Sequence, residues 1–291
     1  MTDLGPATQI LGIDIKQDLD NGTITLSQEK YTLSVLKRFK MEDCNPSNTP
    51  GTGADLKAST TESALLSEKD KKEYQSLVGS LIFLINCTRF DVAFATMQAA
   101  RKMASPTTLD LANTKRILRY LKKRPGLKIT YKRNSNFQLT AYSDASYAST
   151  ASRKSITGSM LFLSGGLIHF NSQVQRIIAQ STSESEIIAI NSTAKHGVYF
   201  ASMLGELGWE SPRTFRLLTD NRSSLSLVSQ GAYTNRSRHI AVRYASLREW
   251  IAAGRLQLDF VASTKMLSDI CTKYCTREVQ ESLIQQIQNF A

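Results

Sequence analysis

From residue 127 onward, the order of hydrophobic periodicities limits the fold more than any other feature of the chain. Four short runs, LKITYKR, QLTAYSDA, TGSMLFLS and LIHFNSQ, read as strands, with a tight turn at SGG, residues 164–166. A helical pattern follows over about 184–207 and closes at Gly208. Then come a strand (RTFRLLTD), a short helix to Val228, a helix over about 238–252, a strand (RLQLDFVA) and C-terminal helices. Consecutive strands followed by strands alternating with helices predict a mixed sheet with helices packed against it, an α/β arrangement. The first part of the chain has another character. Residues 9–27 read as a hairpin with a turn at Asp20–Gly22, and Ser27 as the cap of a helix to about Phe39. A loop rich in Pro, Gly, Ser and Thr covers 43–67, and helical patterns cover 71–85, 91–103 and 108–123, the last ended by Pro125-Gly126. A boundary near residue 135 separates a mainly helical domain, 1–135, from a mixed domain, 136–291.

Four acids in the second domain follow or open these elements: Asp144 in LTAYSDASYAS, Glu186 in STSESEIIAI, Asp220 in FRLLTDNRSS and Asp269 in STKMLSDICTK. Each has a purely structural explanation. Asp144 fits a turn after a strand. Glu186 lies three residues after Ser183, a capping-box spacing. Asp220 and Asp269 could cap the helices that follow them. Together they point elsewhere, because α/β folds gather ligands at strand ends and helix starts. Clustered carboxylates raise one another's pKa unless a counter-ion is present. Mg²⁺ takes oxygen ligands and retains waters. Two such ions about 4 Å apart stabilise both the attacking and the leaving oxygen of a phosphodiester.

A formal charge of +11 favours polyanionic partners. The positive charge is concentrated in KRILRYLKKRPGLKITYKR, where Lys115, Arg116, Arg119, Lys122, Lys123, Arg124, Lys128, Lys132 and Arg133 stand without an acid among them. Such a stripe could neutralise backbone phosphates. Arg153 and Lys154 in SRKSITG, and Arg238, His239 and Arg243 in RSRHIAVRY, are further expected contacts to nucleic acid, since Arg forks match phosphate oxygens. For Arg238, His239 and Arg243, ordinary helix-surface charge is the competing reading.

Cys44, Cys87, Cys271 and Cys275 form no zinc-binding spacing, although CTKYC would fit one helical turn; reduced, structural thiols are expected. His169, His196 and His239 are scattered, so a histidine metal site is not expected. The longest apolar stretches are too short to cross a bilayer, and the N-terminus lacks the pattern of a secretory signal. An intracellular protein without membrane or small-molecule cofactor is expected. A strand within a few residues of the start reads as a piece cut from a longer polypeptide.

The quoted stretches resemble the C-terminal part of the Pol polyprotein of copia-type LTR retrotransposons. LGIDI with ITLSQEKY, YQSLVGSLIFLINCTRFDVAFA, KRILRYLK, YSDASYAS, SRKSITGSMLFLSGG, STSESEIIAI, LLTDNRSS, RSRHIAVRYASLRE and SDICTK run in that family's order across nearly the whole chain. The resemblance implies a reverse-transcriptase thumb and connection remnant, then a ribonuclease H fold over about 136–275 with a five-stranded mixed sheet flanked by helices. It implies that Asp144, Glu186, Asp220 and Asp269 bind Mg²⁺, two ions with Mn²⁺ as a substitute, and that water cleaves the RNA strand of an RNA–DNA hybrid. Glu184 competes with Glu186; the spacing of Glu186 and Ala189 favours Glu186. The remainder of a Pol polyprotein is an implied partner, and a cytoplasmic virus-like particle or the nucleus the implied location.

The chain also departs from the family's pattern. DASY stands where Asp-Ala-Asp-Trp is usual, and FNSQVQ replaces Trp-Ser-Lys-Lys-Gln. Ser263 and Thr264 occupy the loop where cellular ribonucleases H often carry a histidine. No Tyr-x-Asp-Asp polymerase motif is present, so primer extension is not expected. A decayed module that only binds nucleic acid is the competing function. Integrase chemistry would need a final glutamate where Asp269 stands.

Overall fold

In the computed structural model, which describes residues 5–53, 63–133, 137–209, 214–230 and 241–290, contacts divide the chain into two units. One takes residues 1–133 and 273–288, the other 134–272 and 289–291.

The first unit opens with β1 (Gln9–Ile10), β2 (Ile13–Asp18) and β3 (Thr23–Ser27). Gly22 turns β2 into β3 at φ +58°, and a Cβ there would lie 2.9 Å from Arg133 Cβ, so both backbone and space require glycine. Helices α1 (Glu29–Arg38), α2 (Glu68–Ile85), α3 (Ala93–Ala100) and α4 (Thr108–Lys123) follow. The ends of α4 are fixed locally. Thr107 and Asp110 form a reciprocal capping box, and the chain leaves at Arg124 before Pro125. Strand β4 (Lys128–Lys132) then returns to pair antiparallel with β3, completing a sheet of order β1-β2-β3-β4.

The core of this unit is apolar where α1, α2 and α4 meet, through Leu36, Leu77, Leu81, Ile117, Leu118 and Leu121. Each such side chain contributes roughly 1.5–3 kcal/mol by leaving water. Arg89 and Asp91 lie in the interior as a fully buried, bidentate pair at 2.9 and 2.8 Å. The C-terminal helix α8 (Arg277–Gln288), expected as an extension of the second domain, groups with this first unit. Gln280 Nε2 donates to the carbonyl of Asp91 at 3.0 Å, Arg124 pairs with Glu281 at 3.1 Å, and Gln288 Nε2 donates to the carbonyl of Lys128.

The second unit has a five-stranded mixed sheet, as expected. Strands β5 (Leu139–Ser146), β6 (Ile156–Leu163) and β7 (Gly166–Val174) form an antiparallel meander. Ser164 and Gly165, both at positive φ, make the mirror-image turn that suits a two-residue hairpin. Helix α5 (Thr182–Glu206) leads to β8 (Phe215–Thr219), then α6 (Arg222–Gln230), α7 (Ala241–Ala252) and β9 (Leu256–Phe260). Strands β5, β8 and β9 run parallel, giving the order β7-β6-β5-β8-β9. This is an α/β fold with β5, buried along nearly its whole length, at the centre of the sheet. Ile187, Ile190 and Ala194 of α5 pack with Leu139, Ala141, Leu161 and Leu217 of the sheet. Gly197 brings α5 close: a Cβ there would lie 2.4 Å from the Phe215 ring.

All four cysteines are thiols, with no disulfide among the described residues. Cys271 and Cys275 do not share a helical turn. Cys271 ends a 3₁₀ helix, Leu267–Cys271, and Cys275 lies beyond it.

Candidate metal centre

Asp144 sits within β5, not in a turn, because the β5–β6 ladder continues past it to the pair Ser146–Ile156. The parallel register Tyr142–Leu218, carried two residues further, sets Asp144 beside Asp220 at the end of β8. Both acids therefore lie toward the carboxyl ends of parallel strands, where the crossovers leave room for ligands. Glu186 comes in from the start of α5.

The cap of α5 uses Glu184 and Glu186 differently. The N-cap is Ser181, whose hydroxyl accepts from Glu184 N–H, and not Ser183. Glu184 then turns back to accept the N–H of Gln180 at 2.7 Å. Glu184 is the structural acid, and Glu186 points elsewhere. Asp220 is likewise released from capping: Asn221 Oδ1 accepts from Ser224 N–H at 2.8 Å and caps α6 in its place. Asp269 lies in the middle of its 3₁₀ helix and does not begin it.

Asp144, Glu186 and Asp220 each present an oxygen within 4.8 Å of the others. Asp144 and Glu186 are buried, and Asp220 is half-buried. Glu186 Oε2 is buried without a hydrogen-bond partner among the described residues. Burial first, then the charges of Asp144 and Asp220, push the Glu186 carboxyl up to about 9; Asp269 adds a smaller push. A buried acid held protonated by two acid neighbours, with an unpartnered oxygen, fits a hard divalent cation, which would remove the repulsion. Asp269 is thus near enough to act on Glu186 but stands outside the tight group of three.

Two hydroxyls not anticipated as partners border the acids. Thr272 Oγ1 donates to Asp144 Oδ2 at 2.5 Å, and Ser263 Oγ donates to Asp220 Oδ2 at 2.7 Å. Gln175 Nε2 donates to Thr157 Oγ1 at 3.1 Å and to the carbonyl of Ser185 at 2.8 Å, tying the exit of β7 to the first turn of α5. These contacts join residues far apart in sequence, so no local spacing reveals them.

The basic residues divide into two groups. Those of α4 are mostly turned to structural use. Arg119 Nε donates to the carbonyl of Asn45 at 2.6 Å, Lys122 Nζ to that of Cys44 at 2.8 Å, Lys123 to the Asn48 side chain, and Arg116 to Thr49. Arg124 is occupied by Glu281. The loop before residue 50 exposes carbonyls that helix and sheet do not satisfy, and α4 supplies the donors. Lys115 is half-buried.

In the second unit, Arg153 and Lys154 lie in the β5–β6 turn, at the end of the ladder nearer Asp144. Arg243 borders a cavity of about 370 Å³ with Arg176, Lys195, Gln173, Gln175 and Asn191. Asn191 Nδ2 fastens α5 to α7 through Ser246 Oγ at 2.8 Å. Arg176 and Lys195 stand singly in the sequence, which hid them from a search for charge clusters. Arg238 and His239 lie outside the described residues.

No known protein-family profile matches the chain. It is 34% identical over 281 residues to the retrovirus-related Pol polyprotein from transposon TNT 1-94 of Nicotiana tabacum, across 95% of this chain and 21% of that protein. It is 32% identical over 212 residues to an uncharacterized mitochondrial protein of Arabidopsis thaliana, across 72% of this chain and 81% of that protein. The chain spans about a fifth of the length of the Pol polyproteins it matches. Among solved structures it is similar to the N-terminal RNase H domain of a Mycobacterium tuberculosis protein, at 10% identity and a TM-score of 0.34, over 52% of this chain and 99% of that one.

Proposed function

Because the chain belongs to the retrovirus-related Pol polyproteins of transposons, we propose that its second unit is a copia-type ribonuclease H that hydrolyses the RNA strand of RNA–DNA hybrids. The observation that carries this reading is the meeting of Asp144, Glu186 and Asp220 within 4.8 Å, with none of the three used as a helix cap.

Asp144, Glu186 and Asp220, with Asp269 beside them, would hold Mg²⁺, two ions in the fullest form of the reading, with Mn²⁺ as a substitute. Bound there, the metal supplies charge stabilisation at the scissile phosphate and an activated water. The protein's own part is orientation. Strand β5 and α5 fix Asp144 and Glu186 on rigid elements, and Glu186 would give up its proton to the solvent on binding a cation. Arg176, Lys195 and Arg243 would meet backbone phosphates, with Arg153 and Lys154 at the neighbouring turn. A hybrid is recognised through its A-form shape and 2′-hydroxyls, which explains why no base-reading motif is needed.

The first unit is proposed to be the reverse-transcriptase remnant, with residues 1–135 and 136–291 as the functional division and no primer extension. The rest of a Pol polyprotein is the proposed partner, inside the cell, in a virus-like particle or the nucleus. Among the described residues no helix is long and apolar enough to cross a membrane.

The test is cleavage of a labelled hybrid by the full chain in Mg²⁺ or Mn²⁺, beside Asp220→Asn. Wild type should cut the RNA strand, and the variant should bind hybrid but cut at least about a hundredfold more slowly, a barrier change of some 2.7 kcal/mol. Equal, negligible cleavage by two proteins that both bind hybrid would leave only a nucleic-acid-binding module.

A further inference from the structure

Thr272 is buried, at 1% exposure, immediately after the 3₁₀ helix Leu267–Cys271. Its hydroxyl lies 2.5 Å from Asp144 Oδ2 and 3.2 Å from the carbonyl of Asp269, and its N–H donates to that same carbonyl at 3.1 Å. The side-chain methyl is equally confined. A Cβ on Gly158 would fall 2.5 Å from Thr272 Cγ2, so the methyl occupies the space that glycine leaves open. A β-branched side chain has few χ1 choices. With its methyl against Gly158 and its oxygen against Asp144, this one has a fixed direction.

We propose that Thr272 is a positioning residue for Asp144, holding the plane of its carboxylate for a divalent cation; this rests on the reading of Asp144 as an ion ligand. An acid beside Glu186 and Asp220 is pushed to rotate away from them. A hydroxyl donating to one of its oxygens opposes that rotation by fixing the orientation of the carboxylate. Partners of this kind behind a ligand set its affinity for the ion without touching the ion. Ser263 makes a similar contact with Asp220 but is exposed, where water can replace it. Thr272 is enclosed, and water cannot.

The experiment is calorimetric titration of Mn²⁺ into the full chain as wild type, Thr272→Val and Thr272→Ser, with thermal melts of each. Thr272→Val, which keeps the shape and loses the hydroxyl, should bind Mn²⁺ about tenfold more weakly, and Thr272→Ser should stay within about twofold of wild type. Thr272→Ala against Thr272→Ser gives the same comparison where Thr272→Val does not fold, since both lack the methyl and differ only in the hydroxyl. Equal Mn²⁺ affinity with and without the hydroxyl, whatever happens to the melting temperature, overturns the proposal. A wild type that binds Mn²⁺ yet leaves hybrids uncut overturns the ribonuclease reading alone. A wild type that binds no Mn²⁺ overturns both.

Discussion

Gly158 stands directly across the β5–β6 ladder from Asp144, and the space left by its missing side chain is filled by the segment that carries Asp269 and Thr272. A Cβ at residue 158 would come within 2.8 Å of the backbone carbonyl of Ser268 and 2.5 Å of Thr272 Cγ2. Backbone cannot swing aside as a side-chain tip can. The Gly158→Ala variant should lose about 1–3 kcal/mol in urea unfolding through overpacking. It should also lose most hybrid cleavage, although residue 158 is not itself a ligand. Normal stability with normal cleavage would show that the 3₁₀ helix has another seat.

Glu186 gives the metal-free protein an unusual pH dependence. Its folded-state pKa is raised, to about 9, by burial and by Asp144 and Asp220. The folded state therefore holds a proton that the unfolded state has released above its ordinary value of 4.5. The associated stability is fully present below about 4.5 and is lost as the pH rises through about 9. Melts in chelator should show a falling temperature from pH 7 to pH 9, where the histidines no longer titrate in either state, and Glu186→Gln should flatten the fall. Glu184→Gln should cost about 1 kcal/mol at pH 7, since it weakens the cap of α5. Identical pH slopes for wild type and Glu186→Gln would remove Glu186 from the acid cluster.

At the other end of the pH range, His169 of β7 and His196 of α5 pack edge to face, with ring centroids 4.5 Å apart. Burial, and then the neighbouring His196, pull the His169 pKa down to about 4, and burial also lowers that of His196. The sign is opposite to that of Glu186. The stability is present above about 6.5 and is lost as the pH falls through about 4, because the unfolded chain takes up protons that the folded pair refuses. With Glu186→Gln as the background, urea midpoints should drop between pH 7 and pH 4.5, and adding His169→Phe should shrink that drop. An unchanged drop in the variant would assign the acid sensitivity elsewhere.

Lysine and arginine should likewise split by location. Lys195→Ala, beside the cavity shared with Arg176 and Arg243, should weaken hybrid binding at low salt and reduce the slope of log K against log salt by about one. Arg119→Ala should instead lower stability, by about 1 kcal/mol for the lost hydrogen bond to Asn45, and leave the salt slope alone. A reduced slope in Arg119→Ala would return α4 to the nucleic-acid surface.

How far the sequence could be read follows from how local each cause is. Helix α4 was legible to the residue because Thr107, Asp110 and Pro125 act within a turn of its ends. The order of strands was legible because each alternation is short and self-contained. The four acids could be marked, but which acids serve as helix caps could not. Whether Glu184 or Glu186 caps α5 depends on which serine begins it, and Asp220 is released only because Asn221 does the capping. The charge stripe was legible as composition, but the loop carbonyls to which Arg119 and Lys122 donate were not. Thr272 was out of reach altogether, lying 128 residues from the carboxylate it touches.

The grouping of α8 with residues 1–133 has a consequence for synthesis. The helix that completes the first unit is separated from the rest of it by residues 134–272 of the second unit. On a ribosome, residues 134–272 emerge before Gln280 can reach the carbonyl of Asp91. The first unit therefore closes only after residues 134–272 have been made, and a chain cut short after the acid cluster would leave the first unit open and the second without residues 289–291.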